Sequence, residues 1–173
     1  MTADQRSQEL LGYLEAGKDD MVSLLGELVA LESPSDDKTA VDRFSRYLAG
    51  LFQDLGARTE IIPADQAGDH LWAEFESPGV SGQILVLAHM DTVWAVGETQ
   101  KRPFRVEGNR AYGVGAFDMK GGIVQALFAV RALRDLGRGW RRRVVFLCNS
   151  DEEMGSPTSR NLIEAEADRS DYV

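Results

Sequence analysis

Apolar residues recur at helical spacing through the first third of the chain. The segment from about Asp4 to Ala16 reads as a helix. A second begins near Asp19 and carries Met21, Leu24, Leu25, Leu28 and Leu31 on one stripe. Ser33-Pro34-Ser35 interrupts the period. Asp36 or Asp37 is placed to cap a third helix, whose stripe is Val41, Phe44, Leu48, Leu51, Phe52 and Leu55, and Gly56 stands where a C′ glycine belongs. Strand-like runs follow at Arg58–Ile62, Leu71–Glu76 and Ile84–Ala88. The turn-forming run Pro78-Gly79-Val80-Ser81-Gly82 predicts that the last two strands form an antiparallel pair. Ile84-Leu85-Val86-Leu87-Ala88 is apolar at every position, the pattern of a strand buried on both faces. A long loop is expected from Asp91 to about Gly115, then a helix over Met119–Leu136 ended by Gly137. A second buried strand, Val144–Cys148, leads into a loop over Asp151–Ser159, and Pro157 is placed to open the last helix. Asp171-Tyr172-Val173 reads as the start of another strand, so the chain is expected to stop in mid-fold. This order of elements is α/β, with no internal repeat, low-complexity segment or interdomain linker.

Composition narrows the class. A length of 173 residues suits one domain. With 43% hydrophobic and 27% charged residues the chain is neither disordered, collagen-like nor a coiled coil. Lys and Arg total 19 against 28 Asp and Glu, a formal charge of −9 without any basic run. That balance argues against nucleic acid or an anionic membrane surface as partner. No apolar stretch approaches the roughly 20 residues of a membrane span. Met1 to Glu9 is polar and has no signal-peptide core. Cys148 is the single cysteine and has no internal disulfide partner, so a cytoplasmic protein is expected.

Three groups of polar residues fall after buried strands or in the loops between them, where open α/β sheets bind ligands. In His89-Met90-Asp91 the imidazole and the carboxylate, two residues apart on extended chain, point to the same side. An Asp there suits the orientation of a metal-binding His, although a capped strand end explains the pair as well. In Gly113-Val114-Gly115-Ala116-Phe117-Asp118-Met119-Lys120-Gly121-Gly122, Asp118 stands at the mouth of a helix, where a plain N-cap is the competing explanation. A dinucleotide site is excluded: no strand runs into the glycines, and the fingerprint's third glycine is missing. In Asp151-Glu152-Glu153, three carboxylates crowd a strand end. Solvation relieves their repulsion, and a divalent cation relieves it better. Together a neutral His and several carboxylates suit zinc or a similar ion, with a spare carboxylate as general base.

Leu87-Ala88-His89-Met90-Asp91-Thr92-Val93, Gly115–Gly122 and Ser150-Asp151-Glu152-Glu153-Met154-Gly155-Ser156 resemble, in order, the motifs of the M20 family of metallopeptidases. The glutamate carboxypeptidase branch is the most similar, and Glu32-Ser33-Pro34-Ser35 and Pro103-Phe104 fit it too. The resemblance implies a zinc-exopeptidase fold with a mixed, mostly parallel central sheet flanked by helices, here incomplete. It implies that residues 1–173 are the N-terminal part of a catalytic domain, without the smaller dimerisation and lid domain. It further implies two zinc ions, or cobalt or manganese, with His89 on one, Glu153 on the other and Asp118 bridging both. Asp91 would orient His89, and Glu152 would be the general base. The substrate would be a peptide or N-acyl amino acid, cleaved at an amide next to a free carboxylate, and a homodimer of the complete protein is compatible with the same resemblance. The family's further acidic ligand and late histidine find no match here. His70 lies outside the motifs and reads as an exposed or capping side chain, and Val114 stands where the family often has Arg or Pro. The alternative is a catalytically silent α/β module that folds, or pairs with a partner, without turnover.

Overall fold

Local chemistry sets the first elements of the chain, whose computed structural model describes residues 2–76, 79 and 81–173. Helix α1 spans Ala3–Ala16, with Thr2 and Gln5 closing a reciprocal capping box. Helix α2 spans Lys18–Ala30 and α3 spans Lys38–Asp54. Of the two candidate caps, Asp37 serves: its carboxylate accepts from the Ala40 N–H at 3.0 Å. Gly56 follows α3 at a φ of 92°, the left-handed conformation expected of a C′ glycine.

Strands β1 (Arg58–Ile62), β2 (His70–Phe75) and β3 (Gln83–His89) follow. The expected long loop contains a helical turn, α4 (Glu98–Lys101), and a short hairpin of β4 (Arg105–Glu107) and β5 (Arg110–Tyr112). Helix α5 runs Gly121–Asp135, two residues later than Met119, because Asp118 and Met119 adopt non-helical backbone angles in an irregular turn over Ala116–Lys120. Strand β6 is Arg143–Asn149, and α6 is Arg160–Ala167. Pro157 does not open α6: the helix begins three residues later, behind Ser159.

Among the described residues the main sheet has the order β1-β2-β6-β3. β2 and β3 are therefore not the expected pair. β6 lies between them, antiparallel to β2 (Leu71 opposite Cys148) and parallel to β3 (His89 opposite Asn149). The turn read at Pro78-Gly79-Val80-Ser81-Gly82 includes residues outside the described ones. The sheet is mixed and flanked by helices, as expected. Its antiparallel part, β1–β2–β6, is larger than the resemblance implied. Tyr172 bridges Ile84 in parallel on the outer edge of β3, and its carbonyl accepts from the Leu85 N–H at 2.9 Å, as the strand-like ending suggested.

Alternation along the strands divides the apolar residues between two layers. Leu71, Ala73, Phe75, Phe146 and Cys148 face α2, α3 and α5, which contribute Leu28, Phe44, Leu48, Phe52, Ile123 and Leu127. Trp72, Leu85, Val145 and Leu147 face α6 through Leu162, Ile163 and Ala167. The Glu166 carboxylate accepts from Gln83 Nε2 at 2.8 Å and from the Trp72 indole at 3.3 Å, fixing α6 against the sheet. No helix among the described residues is long and apolar enough to cross a membrane.

Candidate metal centre

Because β3 and β6 are parallel neighbours, their carboxyl ends lie side by side. β3 ends in His89 and runs into Met90 and Asp91. β6 ends in Asn149 and runs into Ser150, Asp151, Glu152 and Glu153. The Met90 N–H donates to the Asn149 carbonyl at 2.8 Å, which stitches the two exits together.

Asp118 reaches this place from the turn before α5. Gly115 opens that turn at a φ of 66°, and a Cβ there would lie 2.7 Å from the Thr92 side chain, so glycine alone fits without displacing its neighbour. The peptide bond between Asp118 and Met119 is cis. Asp118 makes no capping bond to the helix. Its Oδ1 instead lies 2.9 Å from His89 Nε2, which removes the N-cap explanation. Lys120 ties the turn to the end of α2. Its buried Nζ donates to the Leu31 carbonyl at 2.7 Å and lies 4.8 Å from the centre of the Phe44 ring, and burial pushes its pKa down to about 7.

One ligand atom each from His89, Asp118 and Glu153 lies within 4.8 Å of the others. His89 Nδ1 donates to the backbone carbonyl of Asp91 at 3.0 Å, and the Asp91 carboxylate is 3.4 Å away. The ring is thus held through Nδ1, with Nε2 facing Asp118. Burial opposes charge on His89, but hydrogen bonds to Asp91 and Asp118 outweigh it and raise the pKa to about 9. Burial raises the Glu153 carboxyl above its ordinary value, and the charges of Asp118, Asp91 and Glu152 add to this while His89 opposes it. Such crowding is what a divalent cation reverses.

Asp91 does more than face His89. Its buried carboxylate accepts from the backbone N–H groups of Glu152 and Glu153, both at 3.2 Å, and from the Ser35 hydroxyl at 2.8 Å. It therefore couples the His89 strand to the loop that carries both glutamates. Glu152 stays outside the triad, with its side chain 54% exposed and Oε2 3.9 Å from His89 Nε2.

Two features escape sequence reasoning. Ser35 is a support of the site, and its only signal is its place in the Glu32-Ser33-Pro34-Ser35 run. His70 is neither exposed nor a cap: it is 1% exposed and contacts Ser150 and Thr158 beneath the glutamate loop. A lone histidine at the start of a strand carries no periodic signal that separates these outcomes.

The fold and the triad together describe an α/β protein with a group of side chains at parallel strand ends that could hold a metal ion. The model of peptidase family M20/M25/M40 matches residues 85–173, a span that contains all three members of the triad. The chain belongs to this family. It is 34% identical over 155 residues to carboxypeptidase G2 of Pseudomonas sp. (strain RS-16), a match covering 88% of this chain and 37% of that protein. It is 29% identical to acetylornithine deacetylase of Salmonella arizonae, over 87% of this chain and 40% of the relative. Among solved structures, human carnosine dipeptidase 1 superimposes with a TM-score of 0.81 at 26% identity, covering 95% of this chain and 40% of that one. The chain thus spans about two fifths of the length of these relatives.

Proposed function

We propose that the parent protein hydrolyses an amide bond next to a free carboxylate, in a peptide or an N-acyl amino acid, and that these 173 residues are the N-terminal part of its catalytic domain. The observation that carries this reading is the convergence of His89, Asp118 and Glu153 within 4.8 Å in a chain of this family. The donor set fits zinc, one imidazole and two carboxylates being ordinary ligands for it, and cobalt or manganese would fit similarly. His89 would hold one ion, Glu153 a second, and Asp118 would bridge them. Bound there, zinc would supply Lewis acidity toward the amide carbonyl and would lower the pKa of a water toward about 7.

The chain's own residues do the rest. Asp91 keeps the proton on His89 Nδ1 and leaves Nε2 free to ligate. Glu152, exposed beside the triad, accepts a proton from the attacking water and passes it to the leaving amine. The smaller dimerisation and lid domain, and a homodimer, belong to the parent protein on this reading. Relatives named as a carboxypeptidase, a deacetylase and a dipeptidase support the substrate class. The test is zinc-dependent release of a C-terminal amino acid or an acyl group by the parent protein, with loss of activity in His89→Ala. Activity that survives both chelation and that substitution would sink the proposal.

A second reading applies to the 173 residues alone. Among the described residues three donors converge, and a catalytic zinc takes about three from protein by itself. The isolated chain would then be a silent α/β module that binds zinc weakly and hydrolyses no amide. Calorimetric titration with zinc beside a carboxypeptidase assay tests it. Tight binding of two zinc ions with turnover would exclude it.

A further inference from the structure

His70, the first residue of β2, lies beneath the loop that carries Glu152 and Glu153. It contacts the loop at both ends. At the entry, the backbone N–H of Ser150 donates to His70 Nδ1 at 3.2 Å. The Ser150 hydroxyl reaches the same nitrogen at 2.9 Å and also the Gly68 carbonyl. At the exit, Thr158 Oγ1 lies 3.1 Å from His70 Nε2. The Thr158 hydroxyl donates onward to Asp151 Oδ2 at 2.7 Å.

The backbone contact at Ser150 favours a ring proton on Nε2. A backbone N–H always donates, so Nδ1 must offer its lone pair to Ser150. Thr158 has one hydroxyl hydrogen, and Asp151 takes it, so the oxygen of Thr158 is free to accept. Nε2 then carries the proton and donates to Thr158. A second proton on Nδ1 would set two N–H groups against each other in a buried place. Burial lowers the pKa of His70 in the same direction, against the charges of Asp151, Asp69 and Asp91, while Lys38 adds to the lowering.

Asp151 completes the lower half of the loop. Its buried carboxylate also accepts from the backbone N–H groups of Thr158 at 2.6 Å and Ser159 at 3.1 Å, and from the Ser159 hydroxyl at 2.6 Å. Burial raises its pKa, but the hydrogen bonds from Ser159, Thr158 and Asn149 outweigh this and hold it below the ordinary carboxylate value. The loop is therefore closed on itself by Asp151 and gripped from outside by Asp91 above and His70 below.

We propose that His70, as the neutral Nε2–H tautomer, is a positioning residue that clamps both ends of the 150–159 loop and so places Glu153 for metal and Glu152 for proton transfer. The inference rests on the metal-site reading above. It acts through Ser150, Thr158 and Asp151, never through the ion.

The test uses the parent protein and zinc alone. Long-range proton–nitrogen NMR at pH 7 is expected to show His70 protonated on Nε2 and bare on Nδ1. His70→Leu removes both bonds and is expected to weaken zinc binding about tenfold, the low end of the range for a direct outer partner of a ligand, because His70 acts one step further away. His70→Gln keeps an N–H donor near the Nε2 position and is expected to recover most of that loss. Thr158→Val breaks the clamp from the other side and substitutes if His70→Leu does not fold. A purely structural His70 would lower the melting temperature in these variants while the folded chain kept its zinc affinity, and that result overturns the proposal. So does a proton on Nδ1. If the unaltered parent protein binds zinc no better than His89→Ala, the metal-site reading itself fails and the inference falls with it. Zinc binding that needs His89 but ignores His70 and Thr158 overturns the inference alone.

Discussion

Glu152 and Glu153 are neighbours on one short turn, yet they meet different surroundings. Glu153 is half-buried against His89 and Asp118, while Glu152 points outward with its side chain 54% exposed. The division of labour proposed for them rests on that difference, and it predicts different losses. In the parent protein Glu152→Gln is expected to cut turnover by at least about a hundredfold, the scale of a lost general base, with zinc content unchanged. Glu153→Gln is expected to lose zinc. Elemental analysis beside kinetics checks both, and equal metal loss in the two variants would refute the assignment. A second prediction concerns His70. Burial keeps its folded pKa below the ordinary 6.5, so in acid the unfolded chain takes up a proton that the folded chain refuses. Below about pH 6.5 this destabilises the fold, by up to about 1.4 kcal/mol per pH unit. Urea denaturation at pH 7 and pH 5.5 is expected to show a smaller drop for His70→Gln than for the unaltered chain. Asp151, Asp69, Asp91 and Lys38 act on His70 and remain in both proteins, so the difference isolates the imidazole. Residue types and position marked His89-Met90-Asp91, Asp118 and Asp151-Glu152-Glu153 as candidate groups at strand exits and a helix mouth, and the resemblance to the family singled out His89, Asp118 and Glu153 among them. Ser35 and His70 were not readable, because their roles arise from contacts with residues far away in sequence.

At the scale of elements, helices were easier to read than strand partners. The stripe from Val41 to Leu55 and the Asp37 and Gly56 boundaries are local, and α3 follows them closely. Strand pairing is not local. Leu71–Glu76 and Ile84–Ala88 were legible as strands, but nothing in either run says that β6 will come between them. The start of α5 was displaced for a different reason: Asp118 is directed to His89, and the backbone around it leaves helical geometry. β6 is the element on which the sheet depends. Phe146 projects from it into the larger core, with ring centres 4.8 Å from Phe52 and 6.0 Å from Phe75. Phe146→Ala is expected to cost about 3–5 kcal/mol, measured by urea denaturation. A cost below about 1 kcal/mol would mean that the neighbouring rings close the gap.

For the whole molecule, Cys148 offers a direct report on integrity. It lies in the middle of the sheet, fully buried, and burial pushes its thiol pKa up to about 12. A thiol reagent is expected to label it only as fast as the chain unfolds, because the reactive thiolate is absent from the folded interior. Labelling monitored by mass spectrometry across a denaturant series should follow the loss of helical circular dichroism. Rapid modification under native conditions would show that the sheet opens locally at β6. The placement of β6 also bears on the order in which the molecule can assemble. Leu71 must wait for Cys148, nearly half the chain later, before β2 gains its inner neighbour, and β3 waits for the same strand, though less long. On a ribosome β1 can pair with β2 at once, but β2 and β3 emerge with their inner edges unpaired, and the sheet can close only when β6 is made. Contacts so distant in sequence slow folding, because the entropy of loop closure is lost before pairing returns anything. The residues of the proposed metal site share that schedule: His89 is made before β6, but Glu153 arrives just after the strand that closes the sheet, so on this reading the capacity to hold a metal and the native topology come into being together.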